Sequence, residues 1–232
     1  MLSDSFINAA STGTPYFSYS SRLDEIYELS LFEAIPDFIH GLIAYPKTKK
    51  LSEEDFSQEY VTALNRCLIE NPKGILAVPE YKDLYTEDAN STKRVDIAFV
   101  SSEQGSLKKK LYTVEAKRLP TGTGQREQEY IYGFKDKRPT GGVQRFKTGD
   151  HGLGLSKSAL LGYVEKNNFN YWYETINAWI VGKSLELPVE WKNDEQLRDL
   201  DVNSNQIYSV CRSVAHRRSD SVDLFHLWIK IP

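Results

Sequence analysis

The sequence predicts an α/β domain in residues 51–232, built as a helix, a three-strand meander, helices and further strands, with an N-terminal arm and helical appendage in residues 1–50. Three observations predict it. An apolar stripe of helical period fills residues 52–70 and stops at Asn71-Pro72-Lys73-Gly74. Beyond Gly74 the period falls to two through three successive runs. Beyond Val143 helical patterning returns, and two β-like runs close the chain.

Composition agrees with a globular domain. Hydrophobic residues make up 40% and charged residues 26% of the 232, which excludes wholesale disorder. The longest apolar runs fall far short of the roughly 20 residues of a membrane span, and MLSDSFINAA lacks the basic and apolar regions of a secretory leader. A cytoplasmic protein with no membrane partner is expected. Cys67 and Cys211 are too few and too far apart for a disulfide framework or a zinc knuckle, and both read as small buried hydrophobes. With 29 basic and 32 acidic side chains the net charge is −3, so any phosphate-binding surface has to be a local patch.

Taken in order, residues 1–20 have the Ser/Thr/Gly-rich composition of a weakly ordered arm. Leu23 to Leu42 reads as two short helices broken at Pro36. Ser52 then opens the clearest helix, with Glu53, Glu54 and Asp55 in the first turn, where acidic groups suit the helix dipole. Its stripe is Phe56, Tyr60, Ala63, Leu64, Cys67 and Leu68, and Glu59 interrupts it. Strands are expected over 75–81, 94–100 and 108–118. Residues 119–143, with two prolines and five glycines, read as a structureless loop of functional type. Helical patterning is assigned to 158–165 and 171–181, and strands to 206–216 and 222–231.

The chemistry concentrates on the second and third strands. With alternating side chains, Val95, Ile97 and Phe99 face a core and Asp96 faces the other way; Glu115 and Lys117 share the face opposite Val114 and Ala116. That face is expected to be open to solvent. Paired as a hairpin, the strands bring Asp96 within reach of Glu115, and two carboxylates beside an ammonium suit a hard divalent cation and an activated water. A solvated, merely charged strand face is the competing explanation. The four histidines show no metal-ligand spacing, and Gly182-Lys183-Ser184 lacks the strand and glycine loop of a phosphate cradle.

Asp96, then Glu115-Ala116-Lys117, preceded by a helix bearing Glu59, resembles the PD-(D/E)XK nuclease superfamily, whose restriction-endonuclease-like core has this order of elements. A second run, Gly141-Gly142-Val143-Gln144-Arg145-Phe146 through Gly162-Tyr163-Val164, is similar to a signature of small restriction-endonuclease-like proteins encoded in bacterial defence loci. The proline that often precedes the first acid is replaced by Val95. The resemblance implies a Mg²⁺-dependent DNA endonuclease, with Mn²⁺ able to substitute, acting against phage or foreign DNA. Asp96 and Glu115 would hold the metal with help from Glu59, for which Glu70 and Glu80 compete, and Lys117 would orient or activate water. Gln144 and Arg145 are candidates from the helix after that strand.

DNA is expected to lie along Arg118, Arg145, Lys108, Lys109, Lys110, Lys135, Lys137 and Arg138, with the 119–143 loop closing over the duplex. A nuclease-fold binding subunit docked through residues 1–50, and an RNA nuclease, are the alternative readings. The reading also leaves room for a homodimer.

Overall fold

The computed structural model describes residues 21–46, 50–70, 74–82, 94–102, 110–121, 124–135 and 138–232. The predicted arm, and Lys108, Lys109 and Lys137, lie outside these residues. The chain forms a mixed α/β structure on a seven-stranded mixed sheet.

Helices α1 (Ser21–Glu33), α2 (Ile35–Ala44) and α3 (Glu53–Glu70) come first. Pro36 sits in the first turn of α2, where its missing N–H costs nothing. Ser52 and Asp55 cap α3 reciprocally: Asp55 N–H donates to Ser52 Oγ at 3.1 Å, and Ser52 N–H donates to Asp55 Oδ2 at 2.8 Å. The meander follows as β1 (Ile75–Lys82), β2 (Arg94–Ser101) and β3 (Lys110–Leu119). A 3₁₀ turn over Gly124–Tyr130 leads to a small hairpin, β4 (Phe134–Lys135) and β5 (Arg138–Pro139), and to the short helix α4 (Gly142–Lys147). Then come β6 (Lys157–Val164), α5 (Phe169–Glu186), β7 (Arg198–Val202), β8 (Tyr208–His216) and β9 (Ser221–Lys230).

The strand order is β1-β2-β3-β6-β9-β8-β7. β3, β6 and β9 run parallel at the centre, and antiparallel pairs flank them. Helices α1–α3 cover one face around Phe38, Tyr60, Phe99, Tyr112 and Tyr163. Helices α4 and α5 and the 3₁₀ turn cover the other around Tyr130, Phe146, Trp172 and Trp228.

Four expectations are corrected. Most of residues 158–165 lies in a central parallel strand, Lys157–Val164, and not in a helix: buried on both faces, the run from Ala159 to Val164 is apolar apart from the Tyr163 hydroxyl, and such a run has no period of its own. Helices α1 and α2 are no appendage, because Phe38 packs on Tyr60 and Tyr163, and Tyr27 on Phe99 and Tyr112, inside the core. Residues 119–143 contain a 3₁₀ turn and a hairpin in place of a structureless loop. The Glu115–Lys117 face of β3 is not open to solvent, since Glu115 is 0% and Lys117 6% exposed.

Candidate active site

The site forms where β3 outruns β2. The ladder between them reaches Ile97 opposite Val114 and stops, leaving the amides of Ala116 and Arg118 without a strand partner. Two carboxylates take the place of the missing strand. Asp96 Oδ2 accepts the Ala116 N–H at 2.7 Å, and Glu53 Oε2, from the first turn of α3, accepts the Arg118 N–H at 2.9 Å. A buried amide has to be paired, so these bonds fix both carboxylates at the end of β3.

On the covered face, Glu115 is ringed by cationic and imidazole groups. Its Oε1 lies 2.8 Å from Lys117 Nζ and 2.7 Å from Arg145 Nη1, and its Oε2 lies 2.8 Å from His151 Nδ1. Both atoms of that last pair are buried, and neither has another hydrogen-bond partner. Lys117 Nζ also reaches Glu53 Oε1 at 3.3 Å and the Ala116 carbonyl at 2.9 Å.

The electrostatics follow from this crowding. Burial, then the neighbouring Glu115 carboxylate, pushes the Asp96 carboxyl well above its usual range, against the pull of Lys117 and the Ala116 N–H. Burial pushes Glu115 the same way, but Lys117, His151 and Arg145 together outweigh it and hold this carboxyl well below its usual range. Burial works against the Lys117 charge, yet Glu115, Glu53 and Asp96 raise its pKa above the usual value, so it stands as a fixed ammonium.

Asp96, Glu115, Lys117 and Arg145 are therefore brought together. The other candidates lie elsewhere. Glu59 accepts from the Tyr45 hydroxyl at 3.1 Å and lies over Gly41, between α2 and α3. Glu70 is exposed at the end of α3, and Glu80 on β1 pairs with Arg94 at 3.6 Å. The helix glutamate at the site is Glu53, one residue inside the cap. Gln144 accepts the Gly133 N–H at 3.1 Å and so holds the 131–144 segment. Arg118 is bound through Nε and Nη2 to Glu165. Lys110 begins β3, five residues before Glu115, while Lys135 and Arg138 are exposed on the β4–β5 hairpin.

His151 and Glu53 escaped the sequence reading. Nothing in local spacing marks His151, which is placed by a loop with Gly149 at φ +75° and Gly152 at φ +62°. Its backbone N–H donates to the Arg145 carbonyl at 3.0 Å. Glu53 was visible as a first-turn acid beside the Ser52 cap, but nothing in local spacing ties it to β3.

Asp96 and Glu115 are the carboxylates that a divalent cation would meet here. Glu115 Oε2 is buried against His151 Nδ1, and burial disfavours the ionised form of Asp96, which a cation beside it would favour. Among the described residues no group of three or more His, Cys, Asp or Glu side chains is placed to hold a metal ion. A cation here would rest on two carboxylates and complete its shell with water, which is the ordinary habit of Mg²⁺. Among the described residues no helix is long and apolar enough to cross a membrane. The chain matches no family model, no curated protein and no solved structure.

Proposed function

We propose that the protein is a Mg²⁺-dependent DNA endonuclease with a restriction-endonuclease-like core, working in bacterial defence against phage or foreign DNA. The observation that carries this reading is the convergence of Asp96, Glu115 and Lys117 at the end of β3 where its ladder with β2 stops. The parallel β3–β6 pair beside an antiparallel meander supports the core assignment, and the Gly141-to-Val164 signature supports the defence role.

In this mechanism Asp96 and Glu115 would hold Mg²⁺, or Mn²⁺ in its place, and the cation would supply Lewis-acid stabilisation of charge on the scissile phosphate. Lys117, held charged by Glu115 and Glu53, orients the attacking water and offsets phosphate charge; it is no proton acceptor in this state. Glu53 positions Lys117 and ties α3 to β3. Arg145, with Nε on Pro139, Nη1 on Glu115 and about a quarter of its side chain exposed, offers its Nη2 as a donor to a phosphate oxygen.

The test is cleavage of supercoiled and linear DNA by the purified protein with Mg²⁺ or Mn²⁺. The reading expects nicked or linear products from the wild type and none from Asp96→Asn. Equal products from both proteins, or none from the wild type with either metal, would overturn it.

A further inference from the structure

The β4–β5 hairpin presents an aromatic ring to solvent beside the candidate active site. Phe134 is 53% exposed, although a phenyl ring is ordinarily stabilised by burial. Its register neighbours add charge: Phe134 faces Pro139, and Lys135 faces Arg138, both of the latter being exposed.

This ring stands on a rigid base. Tyr132 meets Phe134 edge-on at 5.3 Å and Trp191 at 6.3 Å, and Lys183 Nζ lies 4.3 Å from the centre of the Tyr132 ring. Arg126 and Thr140 both bond Glu129, which fastens the 3₁₀ turn to the hairpin. Thr140 N–H closes the hairpin on the Gly133 carbonyl at 2.9 Å.

Beside the ring lies a cleft of about 480 Å³, lined in part by Arg126, Gln128, Tyr132, Phe134 and Lys183. That volume is in the range of small-molecule sites, and the lining combines aromatic surface, an amide, two cations and the carboxylates of Glu127 and Glu129. The hairpin is also wired to the candidate active site. Arg145 holds the Pro139 carbonyl through Nε at 3.3 Å and Glu115 through Nη1 at 2.7 Å, while Gln144 holds Gly133.

We propose that Phe134 and this cleft form a binding site for one unpaired nucleobase of the substrate strand, next to the scissile phosphate. The inference rests on the nuclease reading and deepens it. An exposed ring flanked by cations offers stacking to any base and attraction to its backbone, and only a base that is out of the duplex can stack on it. The preferred substrate is therefore a single strand, or a duplex with an unpaired nucleotide at the cut.

The experiment measures binding of single-stranded oligonucleotides by fluorescence anisotropy, with Asp96→Asn protein so that no strand is cut. Phe134→Ala is expected to weaken binding about fivefold or more, and Phe134→Trp to restore it. A series of oligonucleotides with one abasic position each is then bound to both proteins. At one position base removal should weaken the Phe134-containing protein and leave Phe134→Ala unaffected, the non-additivity of two groups in contact. DNA and RNA strands run side by side identify the sugar. Additive losses at every position, or equal affinity of Phe134→Ala, would overturn the base site while leaving the nuclease reading intact. Failure of the Phe134-containing protein to bind any strand would overturn both.

Discussion

Asp96 receives the backbone N–H of Ala116 at 2.7 Å and thereby substitutes for the strand partner that β3 lacks at that point. Glu53 does the same for Arg118 two residues further on. The two bonds make the acid positions a consequence of the sheet: where the ladder to β2 stops, β3 needs acceptors, and the acceptors that satisfy it are carboxylates. In a site of this kind main-chain N–H donors fix the side-chain carboxylates through charge-assisted hydrogen bonds.

Asp96 and Glu115 should respond differently to substitution. Asparagine at 96 still offers an oxygen to the Ala116 N–H and removes a charge that burial and Glu115 oppose. Asp96→Asn is expected to lose cleavage with its melting temperature unchanged or raised, and Mg²⁺ should raise the melting temperature of the wild type only. Glu115→Ala leaves Lys117 and Arg145 without their shared counter-charge, which costs about 3–5 kcal/mol for a buried pair. Thermal melts and cleavage assays on both variants check this.

Glu53 and Glu59 separate the site from the helix packing. Glu53→Gln loses the charge that faces Lys117, and cleavage should fall about tenfold or more, as for other groups that orient a metal-site residue. The stability change should stay within about 1 kcal/mol, because Glu53 is partly exposed. Glu59→Gln should leave cleavage at the wild-type rate, since its carboxylate meets Tyr45 and Gly41. A cleavage defect in the Glu59 variant alone would reverse the assignment.

Strand parity made Asp96, Glu115 and Lys117 legible, because alternation is fixed by the backbone and needs no knowledge of packing. The Gly-rich signature was also legible, and its reasons are steric. A Cβ at Gly142 would come within 2.8 Å of the Tyr130 carbonyl, one at Gly162 would collide with the Trp228 ring, and Phe146 is fully buried. What failed was whatever depended on the opposite face. β3 looked like an edge of charge because Glu115 and Lys117 alternate with apolar residues, and only α4, arriving from 30 residues away, covers them with Arg145. Glu59 misled for a related reason: a carboxylate inside an apolar stripe can be satisfied by a neighbouring helix, here through Tyr45. Arg118 looked available for phosphate until Glu165, from the end of β6, engaged it.

His226 gives a pH signature that is separate from catalysis. It is fully buried, with Nδ1 2.8 Å from the Tyr130 hydroxyl and Nε2 2.8 Å from Ser213 Oγ, while Trp228 donates to the same tyrosine oxygen at 2.8 Å. Burial, reinforced by Arg212, lowers its pKa to about 3 from 6.5. Between these values the unfolded chain binds a proton that the folded protein refuses. Stability present above pH 6.5 is therefore lost as pH falls toward 3, by about 1.4 kcal/mol for each pH unit and on the order of 5 kcal/mol in all. Urea unfolding of the wild type and His226→Gln at pH 7, 6, 5 and 4 isolates this slope as the difference between the two. Parallel curves would show that His226 is protonated in the folded state.

Salt dependence distinguishes the cations that are engaged from those presented to solvent. Lys135 and Arg138 stand exposed on the hairpin beside Phe134, so replacing both by Gln should reduce the slope of log affinity against log salt by about 1.8 for duplex contacts, or about 1.4 for a single strand. Arg118 is already committed to Glu165 and to the Leu51 carbonyl at 3.3 Å, with its guanidinium 5.7 Å from the centre of the Phe56 ring. Its replacement by Gln should leave the slope unchanged and cost stability instead, through the lost Glu165 pair and the lost packing on Phe56. Titrations at several salt concentrations with the Asp96→Asn protein as parent measure all three slopes. If the Arg118 variant lowers the slope and the hairpin variant does not, the strand runs over the β3–β6 end of the sheet and the hairpin lies outside its path.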